Sequence, residues 1–186
     1  GLTLLARQGI SVRDLGLRWE DKIWKFVAFS ALAVVLSLVV NIAFNIITTN
    51  FFDPGAPTGA GEKYAKRFSH LPGNLTAYLW WLSISWVVGG FIEEILFRGV
   101  LINRVESFVS KPLFGTIAAV AFQSILFGQQ HFYYQGWIGF AATGSLALLF
   151  GVLYLVFKRC LWPLIIAHGC VNTLGMTVLF LGGGQA

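Results

Sequence analysis

Charge is what this sequence has least of. Eight acidic and 13 basic side chains among 186 residues leave it 11% charged, under half the ~25% of soluble domains. With 56% hydrophobic residues and a mean hydropathy of +0.73, the composition excludes a water-soluble globule and predicts an integral membrane protein. Cysteine is scarce too. Cys160 and Cys170 lie near or within one apolar stretch, so no disulfide framework is expected. No cleavable signal peptide is visible, because the first long apolar run is too long for one and lacks a cleavage pattern. Internal repeats and low-complexity tracts are missing, so residues 1–186 are read as a single membrane domain. The first residue is Gly1, and residues 1–9 are expected to be the tail of an earlier helix, which would make the bundle N-terminally incomplete.

What is present is a series of five apolar runs near the ~20 residues needed to cross a bilayer: 24–48, 75–105, 112–130, 136–157 and 161–181. They predict an all-α polytopic bundle of about five spans. Residues 13–25 form a charged, amphipathic lead-in. Residues 49–74 form the longest loop, with Pro54, Pro57, Pro72 and four glycines, expected to be irregular or partly a surface helix. The net charge of +5 is read through topology rather than as a nucleic-acid surface, since the basic residues sit mostly between apolar runs. Leaving out Arg98, Lys and Arg fall nine to three on the two sides. That bias puts the lead-in, the 105–112 loop and the 157–161 loop in the cytoplasm. Residues 98–104 are expected to emerge there, with Glu93 in the cytoplasmic half of the membrane.

Few strongly polar side chains interrupt the runs, and ionisable groups in hydrocarbon are costly, by at least ~2.5–3.5 kcal/mol on insertion scales. The second run holds Glu93, Glu94 and Arg98. The third ends in Phe127-Gly128-Gln129-Gln130-His131, and the fifth holds His168 and Asn172 one helical turn apart. Glu94 and Arg98 stand at i,i+4 and are expected to pair. Glu93, about 100° round an α-helix from Glu94, is left for chemistry. A carboxylate, two histidines and an amide suffice to activate water and to donate hydrogen bonds to an oxyanion.

Glu-Glu-x-x-x-Arg at 93–98, Phe-x-x-x-His at 127–131 and His-x-x-x-Asn at 168–172, on successive hydrophobic segments, resemble the CPBP intramembrane protease family. This is the family of CAAX prenyl endopeptidases and of Abi or bacteriocin-processing proteins. Gly99, Ser124 and Leu161-Trp162-Pro163 agree as flanking residues. The resemblance covers about 75–175 and implies a membrane endopeptidase core over about 75–182. It implies Glu93 and His131 as the pair activating water, and His168 and Asn172 as oxyanion donors. Glu94 and Arg98 supply charge balance, Arg98 with a possible view of a substrate carboxylate, and Phe127 shapes the site.

Competing readings attach to the same residues. Zn²⁺ on Glu93, His131 and His168 would make a metalloprotease, although the His-Glu-x-x-His spacing is absent; the preferred reading needs no cofactor. A non-proteolytic scaffold or immunity protein would bind a peptide or a partner membrane protein without cutting it. His168 and Asn172 could be interhelical hydrogen-bond glue. A proton-coupled transporter would need repeats, with Gly89-Gly90 as a helix break. Phe132, Tyr133, Tyr134 and Trp137 read as an interfacial belt or a substrate lip, Ala141 and Ser145 as a helix-packing face, and His70 as solvated. The expected partners are the lipid bilayer and a peptide or membrane-protein substrate, with no nucleic acid. The expected location is a bacterial cytoplasmic membrane, the site nearer the cytoplasmic side. One tension is visible: His131 lies almost a full span from Pro112, His168 only a third of a span into its own run. Their meeting requires the third run to start outside the hydrocarbon, a tilt, or an inward dip of the outer surface.

Overall fold

A computed structural model describes residues 11, 13–19, 22–51 and 59–182. Residues 1–9, read above as the tail of an earlier helix, lie outside the described residues. Five helices follow in chain order: α1 (Ile23–Phe51), α2 (Gly59–Phe68), α3 (Leu75–Ser107), α4 (Pro112–Val156) and α5 (Trp162–Phe180). No strand occurs among the described residues, so the protein is an all-α polytopic bundle.

Among the described residues four helices, α1, α3, α4 and α5, are long and apolar enough to cross a membrane. The five expected spans and these four helices are reconciled in α4. Its 45 residues are about twice what one crossing needs, and it folds back at Gly136, whose φ of 64° and ψ of −159° are not helical. Residues 112–135 and 137–156 become two antiparallel arms. Small residues set their spacing. A Cβ on Gly128 would lie 2.6 Å from the Phe140 carbonyl oxygen, and one on Gly144 would lie 3.4 Å from that of Ser124. Ala141 and Ser145, expected to form this contact, are exposed instead. The inward face of the second arm is carried by Gly144, Ala147 and Gly151, because 3.6-residue periodicity admits only one stripe.

Large side chains such as Val35, Val39, Ile42, Leu113, Ile117 and Ile125 are more than half exposed, a lipid-facing surface rather than a defect of packing. The buried cluster gathers at one end of the bundle, around Ala33, Ile102, Phe157, Leu161 and Leu164. The charged lead-in plugs this end. Residues 13–16 form a turn rather than part of a helix. Leu15 is 4% exposed, and Leu161 N–H donates to the Gly16 carbonyl (2.9 Å). The loop expected over 49–74 is partly helical, as α2.

The depth tension has a plain resolution. Glu106 near the end of α3 accepts from Thr116 (2.7 Å) and from Arg159 (3.0 Å), and Arg159 also bonds Asn103. One polar layer thus ties the end of α3, the start of α4 and the loop after α4 together, and α3 and the first arm of α4 run up from it in parallel extent. α5 starts further in, its preceding Leu161 packing near Gly99. Fewer residues of α5 are therefore needed to reach the level of His131. Arg98, expected to emerge near this face, is instead enclosed, 1% exposed, because its partners lie inside the bundle.

Candidate active site

The middle of α3 is wound more widely than an α-helix. Ser85–Glu93 and Ile95–Ile102 are π-helical, a geometry that recurs at functional sites. Wider turns narrow the angle between successive side chains. Glu93 and Glu94, still well separated round the helix, both reach the same residue of α5, His168, one at each of its ring nitrogens. The two glycines before them set the approach. A Cβ on Gly90 would meet the Ile165 carbonyl oxygen at 3.3 Å, and one on Gly89 would meet Asn172 Nδ2 at 2.7 Å. Gly89-Gly90 is a contact surface for α5, not a break in α3.

Glu94 is fully buried. Its Oε1 accepts from Arg98 Nη1 at 3.1 Å and from His168 Nδ1 at 2.8 Å. The expected i,i+4 pair exists, and it also holds a histidine. Arg98 lies between the rings of Phe127 (5.1 Å) and Phe150 (5.3 Å), and its Nη2 donates to the Ala147 carbonyl (3.3 Å). Both Nη atoms are thus committed inside the protein.

The two histidines are fixed alike. His168 gives its Nδ1 proton to a carboxylate, and His131 gives its own to the Phe127 carbonyl at 2.9 Å. A carboxylate and a carbonyl only accept, which assigns the proton to Nδ1 and leaves Nε2 of each ring for other work. Phe127 stacks on His131 (4.9 Å between centroids) and stands 6.1 Å from His168. Glu93 accepts from Gln130 Nε2 at 3.2 Å and faces His168 Nε2 at 3.9 Å. Asn172 Nδ2 reaches the Ser85 carbonyl at 3.5 Å.

Glu93, Arg98, Phe127, His131, His168 and Asn172 all line one cavity of about 400 Å³, while Glu94 supports it from behind. Sequence reasoning left Gln130 without a role, although it neighbours His131 in the same polar run. It also assigned none to Ser37 and Asn41 of α1 or to Tyr64 and Arg67 of α2, which line the cavity as well. Burial pushes the Tyr64 phenol up, with Arg67 acting in the opposite sense. The aromatic group at the fold of α4 divides. Tyr133 and Trp137 are exposed, 74% and 72%, while Tyr134 turns to the cavity. His70 is exposed and accepts a long bond from Trp81 Nε1 (3.5 Å).

Among the described residues, no group of three His, Cys, Asp or Glu side chains is arranged to share a metal ion. Glu93, His131 and His168 do not form a ready zinc set.

A buried carboxylate–arginine pair, two oriented histidines and a second carboxylate thus surround one cavity in a bundle whose long helices can cross a membrane. The family model described as Type II CAAX prenyl endopeptidase Rce1-like matches residues 75–174, more than half of the chain and all seven motif residues. The protein belongs to this family of membrane peptidases. No curated protein and no solved structure matches the chain.

Proposed function

We propose that this protein is a glutamate-dependent intramembrane endopeptidase that hydrolyses a peptide bond of a membrane-associated or lipidated protein. The observation carrying this reading is the convergence of Glu93, His131, His168 and Asn172, from three helices, on one cavity. Glu93 takes a proton from water as the oxygen attacks the scissile carbonyl carbon. His131, with Nε2 as acceptor, shares that water. The tetrahedral oxyanion receives hydrogen bonds from Asn172 Nδ2 and from His168 Nε2. Donation from Nε2 requires the doubly protonated ring, and Glu94 and Glu93 at its two nitrogens are the counter-charges for it. The C–N bond then breaks, and the proton held by Glu93 passes to the departing amine. Arg98 neutralises Glu94, so that His168 is held by a carboxylate that remains ionised away from water. The reaction needs no metal.

The family's name points to a prenylated Cys-aliphatic-aliphatic-X chain end as the substrate class. The Lys/Arg bias supports a cytoplasmic membrane with the polar Glu106–Arg159 layer facing the cytoplasm. A proteolysis assay in detergent on a farnesylated peptide of that type tests the reading. Glu93→Gln, His131→Ala and His168→Ala should each lower the rate by about 10²-fold or more with the protein still folded. Near-wild-type cleavage by Glu93→Gln would overturn the mechanism.

A further inference from the structure

We propose that Arg67, on α2, is the specificity residue that captures the free α-carboxylate of the substrate's C-terminus. This rests on the protease reading and goes beyond it, because Arg67 lies outside the residues matched by the family model. The cavity has two guanidinium groups on its wall, Arg67 and Arg98. Arg98 is 1% exposed, with both Nη atoms taken by Glu94 and Ala147. The role once open to it, facing a substrate carboxylate, therefore falls to Arg67, which is accessible.

Its setting suits that task. The guanidinium carbon lies 5.0 Å from the ring centroid of Trp81 and 5.0 Å from that of Tyr134. Contacts of this kind are made to aromatic rings and bring no carboxylate oxygen to the cation. The guanidinium carries five N–H donors in a fork that matches a carboxylate. Among the described residues no carboxylate occupies them. Tyr64 stacks on Tyr134 at 6.4 Å and completes the wall.

Distance gives the register. Tyr134 is 5.0 Å from Arg67 on one side and 5.6 Å from the His131 ring on the other. An extended chain advances ~3.3–3.6 Å per residue. A carboxylate on Arg67 thus sets the bond presented to His131 and Glu93 no more than about three residues from the chain end. The geometry selects a short C-terminal tail and rejects an internal loop.

The test uses the full chain carrying Glu93→Gln, so that binding is read without cleavage. The probe is a dansylated, farnesylated peptide ending Cys-Val-Leu-Ser, made as the free acid and as the C-terminal amide. The acid should bind about tenfold tighter or more, and adding Arg67→Gln should abolish that ratio. Lys66→Gln removes the same charge from the same helix outside the cavity wall and should leave the ratio intact. Equal binding of acid and amide, a ratio surviving Arg67→Gln, or a ratio lost equally in Lys66→Gln would overturn the proposal. So would an unchanged ratio in Arg67→Gln accompanied by lost binding of phosphatidylglycerol vesicles, which would assign Arg67 to lipid phosphate. A preserved acid preference with no cleavage by the Glu93-containing protein would instead sink the protease reading alone.

Discussion

His168 Nδ1 stands 2.8 Å from Glu94 Oε1, the same oxygen that Arg98 Nη1 approaches at 3.1 Å. One buried oxygen thus joins the structural ion pair to the site. Glu94 supports the fold and orients a histidine at once, and the two functions can be separated by mutation.

Arg98→Ala should destabilise the protein by about 3–5 kcal/mol, since it strands a buried carboxylate. Adding Glu94→Gln should recover part of the loss. It should not recover activity, because His168 then loses its carboxylate partner. Thermal melts in detergent, paired with peptide cleavage, check both halves. Recovery of activity together with stability would reduce Glu94 to a charge-balancing role.

Chelation should leave cleavage unchanged, and purified protein should hold zinc well below one equivalent. Elemental analysis and an activity assay after exhaustive chelation decide this. If activity disappears and Zn²⁺ restores it, Glu93, His131 and His168 act as ligands.

Adjacent glycines should fail differently. In Gly89→Ala the new methyl crowds the flexible end of Asn172, 2.7 Å away, and touches His168 Nε2 at an ordinary 3.8 Å, so the amide swings aside. Activity should fall about 10-fold or more, while the melting temperature changes little. In Gly90→Ala the neighbours are the backbone of Ile165 and Gly169. Stability should drop there by about 1–3 kcal/mol as α5 is pushed from α3. The reverse pattern would show that Asn172 is not held by this contact.

Gly136 adopts backbone angles essentially reserved for glycine. Gly136→Ala should cost about 1–3 kcal/mol by straining the fold between the two arms of α4. A melt equal to wild type would mean that the reversal does not depend on this residue.

The five apolar runs, their helical state and the polar residues set into them were legible in the sequence, because hydrocarbon tolerates only satisfied backbone and few ionisable groups. Glu93, Glu94, Arg98, His131, His168 and Asn172 stand out on that ground alone, and local spacing sufficed for the Glu94–Arg98 pair. The reversal inside α4 was legible as a boundary between runs, and it falls at Gly136, where the fourth run was read to begin; the third run extends past 130, because residues 131–135 continue the helix.

Other features depend on where helices meet. The π-helical winding of α3 has no local signature beyond Gly89-Gly90. Glu93 and Glu94, set apart by helical geometry, nonetheless meet the same histidine of α5. The bond from His168 to Glu94 joins residues 74 positions apart, and that from Gln130 to Glu93 joins residues 37 apart. Arg67 gave no sign of a site because it sits in a polar loop sequence, where a basic residue is ordinarily solvated. Composition and periodicity determined that this chain crosses a membrane as helices with a few committed polar groups. Which of those groups face one another, and which basic residue is left free, was decided only by tertiary packing, because side-chain partnership depends on distances between helices that no local pattern encodes.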